Sequence, residues 1–185
     1  MKVQSSGKQI HPVQFTPGVI AGPHWYAIQT RSRHEKFVDS QLKEQGITTF
    51  LPLVNQLSFW SDRRKLVRLP LFSNYLFVHL VASPEARLRI LSTNGVLSLV
   101  GNQGKGIPIP GKEIENIRRL LTSNLPFVEC PFVRIGQRVR IRGGCMDGFE
   151  GIFIGRNGNR ELVISVETIE RSLAIHIEGY DVELI

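Results

Sequence analysis

The chain has 185 residues, of which 42% are hydrophobic and 21% charged, as in one large globular domain or two small ones. Its two cysteines, Cys130 and Cys145, exclude a disulfide scaffold, and no apolar run approaches the roughly 20 residues that span a bilayer. Residues 1–133 hold 16 Lys and Arg against 8 Asp and Glu, whereas residues 134–185 hold 7 against 8, so net charges of +8 and −1 make up the total of +7. This asymmetry indicates two units, the first of which faces a polyanion.

The chain begins with a polar stretch, followed by a predicted strand and helix. Residues 1–22 lack the apolar core of a secretory signal, so we expect a flexible tail and a cytoplasmic protein. Residues 25–30 predict a strand. Ser32 and Glu35 have the spacing of a capping box, which predicts the start of a helix. The predicted apolar face of this helix consists of Phe37, Val38 and Leu42. Gly46 is predicted to end the helix.

A hairpin with a basic tip is predicted next. Its two strands, predicted at residues 57–60 and 65–68, would pair across a turn that contains Arg63 and Arg64. A solvated charged turn is one interpretation of this tip, and a phosphate contact is the other. A second basic cluster elsewhere favours the phosphate contact. It consists of Arg31, Arg33 and Lys36.

The stretch at residues 69–80 is rich in aromatic and β-branched residues and predicts a strand in the centre of a sheet, buried on both faces. Alternation places Tyr75 and Phe77 on one face of this strand and Leu76 and Val78 on the other. Core packing and an apolar docking surface for a partner are both open interpretations of its aromatic rings.

The remaining pattern of the first half completes one domain. Ser83-Pro84 marks the start of a short helix, residues 96–100 are strand-like and residues 112–121 are helical. This order of elements predicts an α+β domain in which helices flank an antiparallel sheet. The apolar side chains of the two helices are Leu88, Leu91, Ile114, Ile117 and Leu121.

The second half predicts a different kind of domain. Residues 122–134 contain two prolines and are predicted to be a linker. Five short strand candidates with glycine-rich turns then predict an all-β, SH3-like barrel. They are residues 138–141, 151–155, 162–166, 173–177 and 182–185. The sequence has no nucleophile, paired-carboxylate, phosphate-loop or metal-ligand spacing, so we expect no enzyme, no cofactor and no metal site.

Two resemblances cover residues 24–185 in the expected order. Residues 134–152 resemble a KOW motif, with its glycines and with Val139 and Ile141 on one strand face. Upstream, residues 25–26, 50–53, 70–78 and 107–110 resemble the N-terminal (NGN) domain of the NusG family. The resemblance implies a tail at 1–22, an NGN domain at 23–121, a linker at 122–134 and a KOW domain at 135–185.

Within that family, the chain resembles specialised paralogues of the UpxY and RfaH type. Phe72-Ser73-Asn74-Tyr75 is similar to the paralogue form, and residues 162–166 are similar to the UpxY subgroup. Residues 169–173 replace a segment that general NusG carries, so contact with the termination factor Rho is not implied. The RfaH branch can fold its second domain as a helical hairpin, but glycines between positions 143 and 158 predict a β-barrel here.

The resemblance also implies four groups of site residues. A pocket for the coiled coil of the RNA polymerase clamp would consist of Phe72, Tyr75, Phe77, Leu99 and Ile114. Of these, Phe72 and Phe77 are expected to make the contact and Tyr75 to be more core-like. Arg87 would mark a second polymerase contact. The non-template DNA strand would face Arg31, Arg33, Gln41, Arg63 and Arg64. The barrel would offer Phe149 and Ile169 to the ribosomal protein NusE.

The implied function is transcription elongation and antitermination: the protein would ride RNA polymerase and suppress pausing and termination on long operons such as those for polysaccharides. It is expected to be a monomer without membrane contact. A housekeeping NusG and a KOW-type ribosomal RNA-binding protein are the alternatives. The near-neutral charge of the second half argues against the ribosomal protein, because ribosomal RNA binders are basic throughout.

Overall fold

A computed structural model describes residues 22–59, 64–101, 105–123, 125–130, 132, 136–156 and 159–185. The predicted tail, apart from Gly22, and the tip of the predicted hairpin therefore lie outside the described residues. No helix in these described ranges is long and apolar enough to cross a membrane.

The first half forms an α+β domain around an antiparallel sheet, as predicted. Its elements are β1 (His24–Thr30), α1 (Glu35–Glu44), β2 (Thr48–Phe50), β3 (Leu53–Phe59), β4 (Arg64–Pro70), β5 (Tyr75–Leu80), α2 (Pro84–Leu91), β6 (Val96–Leu99) and α3 (Gly111–Thr122). The sheet has four strands in the order β2-β5-β1-β6, so β5 is an interior strand. Strands β3 and β4 form the predicted hairpin, with Ser58 opposite Lys65.

The two faces of β5 belong to two separate cores, which confirms the predicted alternation. Phe77 packs in the cluster that contains Trp25 and residues of α3, whereas Leu76 and Val78 pack in the cluster that contains residues of α1 and α2. Burial of each such side chain is worth about 1.5–3 kcal/mol, so both faces stabilise the sheet. The sheet is therefore an apolar layer with helices on either side.

Two details of the helices differ from the predictions. Helix α1 starts at Glu35 after a turn in which Arg33 has a left-handed φ of 63°, so Ser32 lies outside the helix and makes no capping box. The Glu35 carboxylate instead accepts a hydrogen bond of 2.8 Å from the backbone N–H of Asn74. Phe37 is 45% exposed and belongs to no apolar face, because Val38 and Leu42 are the side chains that reach the core.

Helix α2 begins as predicted but buries a different residue. The Ser83 hydroxyl accepts a hydrogen bond of 3.1 Å from the N–H of Ala86, and Pro84 follows it at the first helical position. Only Ile90 of this eight-residue helix is buried, whereas Leu88 is 67% exposed. Two positions along a helix are about 200° apart, so Leu88 points away from the core.

The second half is a β-barrel, and all five predicted strands are present. They are β8 (Gln137–Arg142), β9 (Glu150–Arg156), β10 (Asn159–Val166), β11 (Arg171–His176) and β12 (Asp181–Leu184). Short 3₁₀ turns at Gly144–Met146 and Glu167–Ile169 connect some of them. A Cβ at Gly151 would collide with the carbonyl oxygen of Val163, so this glycine serves a close backbone approach.

The segment predicted as a linker contributes a strand to the barrel sheet. Strand β7 (Phe127–Cys130) pairs antiparallel with β11, with Phe127 opposite Ile175 and Cys130 opposite Ser172. The six-stranded order is β12-β8-β9-β10-β11-β7. The chain between the two domains is thus partly attached to the second one.

Candidate functional site

The aromatic cluster on one face of the sheet brings together most of the predicted pocket. The rings of Phe72 and Phe77 meet edge to face with centroids 6.2 Å apart, and Phe50 stacks on Phe77 at 6.0 Å. Ile114 reaches the same cluster from α3. Leu99 does not, because it packs in the core on the opposite face of the sheet.

The exposure of these residues is the reverse of the expectation. Phe72, Phe77 and Ile114 are buried, while Tyr75 is only partly buried. Phe72 and Phe77 therefore act as core in this arrangement, and Tyr75 is the ring that a partner can reach. No local pattern reveals this, because burial depends on what the rest of the chain lays over the sheet.

Helix α3 is held on the sheet by a cation–aromatic stack that the sequence did not predict. The guanidinium of Arg118 lies 5.0 Å from the centroid of the Trp25 ring and 4.9 Å from that of Phe50. His79 also stacks on the Trp25 ring, with centroids 4.8 Å apart. Such contacts are worth about 0.5–2 kcal/mol each, so they hold this face of α3 against β1.

The opposite face of α3 packs against the barrel through polar contacts. The Asn116 amide donates a hydrogen bond of 3.1 Å to the backbone carbonyl of Glu150. Arg119 donates one of 2.5 Å to the carbonyl of Asp147, and its guanidinium lies 4.3 Å from the centroid of the Phe149 ring. The helix is therefore shared between the two domains.

A buried carboxylate forms the centre of this contact. Glu150 Oε1 accepts hydrogen bonds from Lys112 Nζ at 2.6 Å and from Arg140 Nε and Nη2 at 2.8 and 2.6 Å. The hydrogen bond from Lys112 and then that from Arg140 hold the pKa of Glu150 below its usual value against the effect of burial. Glu150 therefore stays ionised and ties α3 to the barrel.

The predicted partner surface of the barrel is also covered. Phe149 and Ile169 are both buried and belong to the same continuous apolar cluster as Phe72 and Phe77. Phe149 lies under Arg119 of α3. The two surfaces that were predicted to bind separate partners thus meet within one core.

The predicted nucleic-acid residues have a different environment. Arg31 and Arg33 are exposed, next to the start of α1. Gln41 is partly buried and donates its amide to Glu44 at 3.0 Å. Arg63 lies outside the described residues, and the side chain of Arg64 is not described either.

The predicted second polymerase contact lies on another part of the first domain. Arg87 and Lys105 line a mostly apolar cavity together with Tyr26, Ile90 and Leu99. Leu99 therefore belongs with Arg87 rather than with the aromatic pocket.

Comparison with known proteins identifies the family. Residues 23–118 match the family model described as "Transcription termination factor nusG", which is more than half of the chain. The chain belongs to the NusG family. The NusG protein of Borreliella burgdorferi is 24% identical over 181 residues, covering 87% of this chain and 98% of the relative. That of Lactococcus lactis is 27% identical over 172 residues, covering 86% and 91%. Both are named transcription termination/antitermination proteins.

Among solved structures, the chain is similar to one described as "Domain interaction in Thermotoga maritima NusG". It is 20% identical, covers 86% of this chain and 96% of that chain, and has a TM-score of 0.48.

Sequence reasoning missed the NusG residues that join the two domains. Lys112, Asn116 and Arg119 are ordinary polar positions of a predicted helix, and their partners lie 28 to 38 residues away in the barrel. The spacing i, i+4, i+7 of these three residues indicates one helix face. That spacing was the available signal, although it does not say what the face contacts.

Proposed function

We propose that this NusG-family protein is a transcription elongation and antitermination factor that binds the clamp of RNA polymerase and suppresses pausing and termination. The observation that supports the proposal is the aromatic cluster of Phe72, Phe77 and Tyr75, the residues to which the sequence resemblance assigns the clamp-binding pocket. The names of the matched relatives support the same role. An apolar aromatic cluster suits the tip of a helical coiled coil, which presents apolar side chains to a groove.

The burial of the pocket implies an opening step. Ile114 is buried on α3, and α3 contacts the barrel on its other face. We infer that clamp binding requires the barrel to leave α3, so that the barrel-facing side of the helix becomes available in addition to Tyr75. The polymerase then binds the open state and shifts the population toward it.

Exposed arginines would supply the remaining contacts. Arg31 and Arg33 would face the non-template DNA strand, whose phosphates attract guanidinium groups in a salt-dependent manner. Arg63, Arg64 and Gln41 would extend this surface. Arg87 would reach the opposite side of the polymerase channel. A protein that bridges the channel in this way disfavours the open, paused clamp by differential binding.

The barrel would recruit a second partner after opening. Residues 135–185 would form this KOW domain, joined to residues 23–121 by the segment 122–134, and Phe149 and Ile169 would be offered to NusE. We assign the chain to the specialised UpxY and RfaH type, acting on long operons such as those for polysaccharides. The support is the Phe72-Ser73-Asn74-Tyr75 sequence.

A housekeeping NusG is the second candidate, since the matched relatives carry that name. The two candidates differ in partners rather than in fold. A pull-down against Rho separates them: strong Rho binding assigns the chain to the housekeeping type, and its absence supports the specialised type.

The clamp proposal is tested with Tyr75→Ala in the full-length protein. Because Tyr75 is partly buried, its loss should leave the fold intact while it weakens polymerase binding roughly tenfold. Val128→Ala is the matched control, since Val128 is 70% exposed on β7. Affinity for core RNA polymerase is measured with circular dichroism as a folding check. A folded Tyr75→Ala variant that binds like wild type overturns the pocket assignment.

A further inference from the structure

Helix α3 and the barrel line a partly open cavity of about 380 Å³, in which polar and charged side chains stand among apolar ones. On the α3 side it is lined by Lys112, Glu113 and Asn116, and on the barrel side by Arg138, Glu150 and Glu167, among others. Charged groups from both domains therefore face each other across a space that exists only while the domains are in contact.

The two glutamates of this cavity have opposite environments. Glu150 is paired with Lys112 and Arg140, as described above. Glu113 accepts a hydrogen bond from the backbone N–H of Glu167, but its Oε2 atom is buried without a hydrogen-bond partner among the described residues. An ionised carboxylate in this position is costly, because burial removes its hydration and, among the described residues, no salt bridge to Glu113 replaces the lost water.

We propose that Glu113 is a protonation-controlled latch between α3 and the barrel, which favours the closed arrangement when its carboxyl group carries a proton and the open arrangement when it is ionised. A protonated carboxyl needs no ion pair to be buried. An ionised one regains its hydration only if the barrel moves away from α3. The inference concerns the contact between the domains and does not depend on the partner that binds the open protein.

The electrostatics of Glu113 agree with this geometry. Burial raises the pKa of Glu113 from 4.5 to about 7, and repulsion from Glu167 adds to the increase. The hydrogen bond from Glu167 and the charge of Arg138 oppose it without cancelling it. The interface thus contains two carboxylates with pKa values shifted in opposite directions. Glu113 titrates near neutral pH, while Glu150 keeps its charge.

Glu113 lies among several other charged groups. Lys112 on α3, Arg138 and Arg140 on β8, and Glu150 on β9 are cations or a carboxylate paired with cations. Glu167, in the 3₁₀ turn after β10, contributes repulsion that strengthens the preference of Glu113 for a proton. A transition near neutral pH is therefore assigned to Glu113.

The sign of the effect follows from linkage. The closed state binds the proton more tightly than the open state, so closure is most favoured at low pH and weakens as pH rises from 4.5 to about 7. Above that window the ratio of closed to open protein is constant. Between pH 5 and pH 8 the ratio should fall on the order of 50-fold.

The test uses full-length protein labelled for NMR, between pH 5 and pH 8. Amide resonances of Gly148 and Glu167 report the contact with α3, and the side-chain carboxyl carbon of Glu113 reports its own titration. We expect the contact signals to fade as pH rises and the pKa of the Glu113 carboxyl to lie above 4.5 and at or below about 7, because opening lowers it from the closed-state value. Glu113→Gln, which mimics the protonated acid, should stay closed at every pH.

Glu115→Gln is the matched control, because Glu115 lies on the same helix with a side chain that is 57% exposed. It should open with pH like wild type. The inference is overturned if wild type keeps its contacts across the range, if it opens as pH falls, or if Glu113→Gln opens like wild type. A Glu113 carboxyl in wild type that titrates near 4.5 overturns it as well, even if the Gln variant fails to fold.

Discussion

The apolar pocket and the basic face of the N-terminal domain are both predicted binding surfaces, yet only one of them is exposed. Phe72 and Phe77 lie in the core beneath α3, whereas Arg31 and Arg33 are in contact with solvent. A large apolar patch exposed to water promotes aggregation, whereas charged side chains are well hydrated there. The difference shows that an apolar docking surface needs a cover when its partner is absent, while a basic surface does not.

This difference suggests an order of events on the polymerase. The basic face can attract DNA phosphates while the domains are still in contact, and electrostatic attraction of this kind acts over about one Debye length. Under the proposed function, the pocket would bind only after the barrel leaves α3. Encounter through charge would then precede docking through apolar contact, and substitutions in each surface test the two separately.

The largest effect is expected for Phe77→Ala. Phe77 is fully buried and contacts both Phe50 and Phe72, so truncation leaves a cavity in the centre of the sheet. We expect a loss of about 3–5 kcal/mol in the free energy of unfolding, measured by urea denaturation of the full-length protein.

Phe37→Ala is the control for this substitution. Phe37 is 45% exposed on α1, and its truncation should change the free energy of unfolding by less than about 1 kcal/mol. Equal losses for the two variants would contradict the assignment of Phe77 to the core. They would also mean that the cluster beneath α3 does not stabilise the domain.

The elements of both domains could be predicted from the sequence because their signals are local. The alternation in residues 75–80 and the glycine-rich turns of the barrel each specify a strand within a few residues. The capping box failed because Glu35 bonds to Asn74, which is far along the chain. The contact between α3 and the barrel could not be predicted for the same reason, since its hydrogen bonds join residues with no shared pattern.

Among the predicted site residues as well, those that share a local sequence pattern were placed correctly and those that depend on distant parts of the chain were not. The Phe72 and Phe77 pair was found because it lies within one stretch, and the structure places the two rings in contact. Leu99 was assigned to the wrong side of the sheet, because the face it occupies is determined by pairing of β6 with β1. Exposure was the least predictable property, since the burial of Phe72 and Phe77 depends on the packing of α3 over the sheet.

An intermediate effect is expected for Arg119→Ala, which should weaken the contact between α3 and the barrel. Arg119 faces the barrel, where it contacts the Phe149 ring and the Asp147 carbonyl. Loss of these contacts costs the closed state about 1–2 kcal/mol, so the open population and the apparent affinity for RNA polymerase should rise roughly tenfold. Binding to core polymerase is measured by titration.

The neighbouring Arg118→Ala is the matched control. Arg118 has the same charge but faces Trp25 and Phe50 on the sheet. It should lower the stability of the domain by about 1 kcal/mol without raising polymerase affinity. If both variants bind polymerase more tightly, loss of positive charge rather than opening would be the cause.

The smallest effect is expected on the basic face, with Arg31→Ser combined with Arg33→Asn. Asn is chosen at position 33 because the backbone there has φ 63°, a conformation that Asn tolerates better than most residues. Each lost phosphate contact should reduce the slope of log affinity against log salt by about 0.7 for single-stranded DNA, so pause suppression should weaken and become less sensitive to salt. Clamp binding should stay unchanged, because these side chains lie outside the aromatic cluster. Arg142→Ser combined with Arg171→Ser is the charge-matched control, because it removes two exposed barrel arginines, which are paired with Glu183 and Glu129. If a paused transcription complex responds equally to wild type and to the variant changed at Arg31 and Arg33 at every salt concentration, these two arginines belong to an ordinary solvated surface.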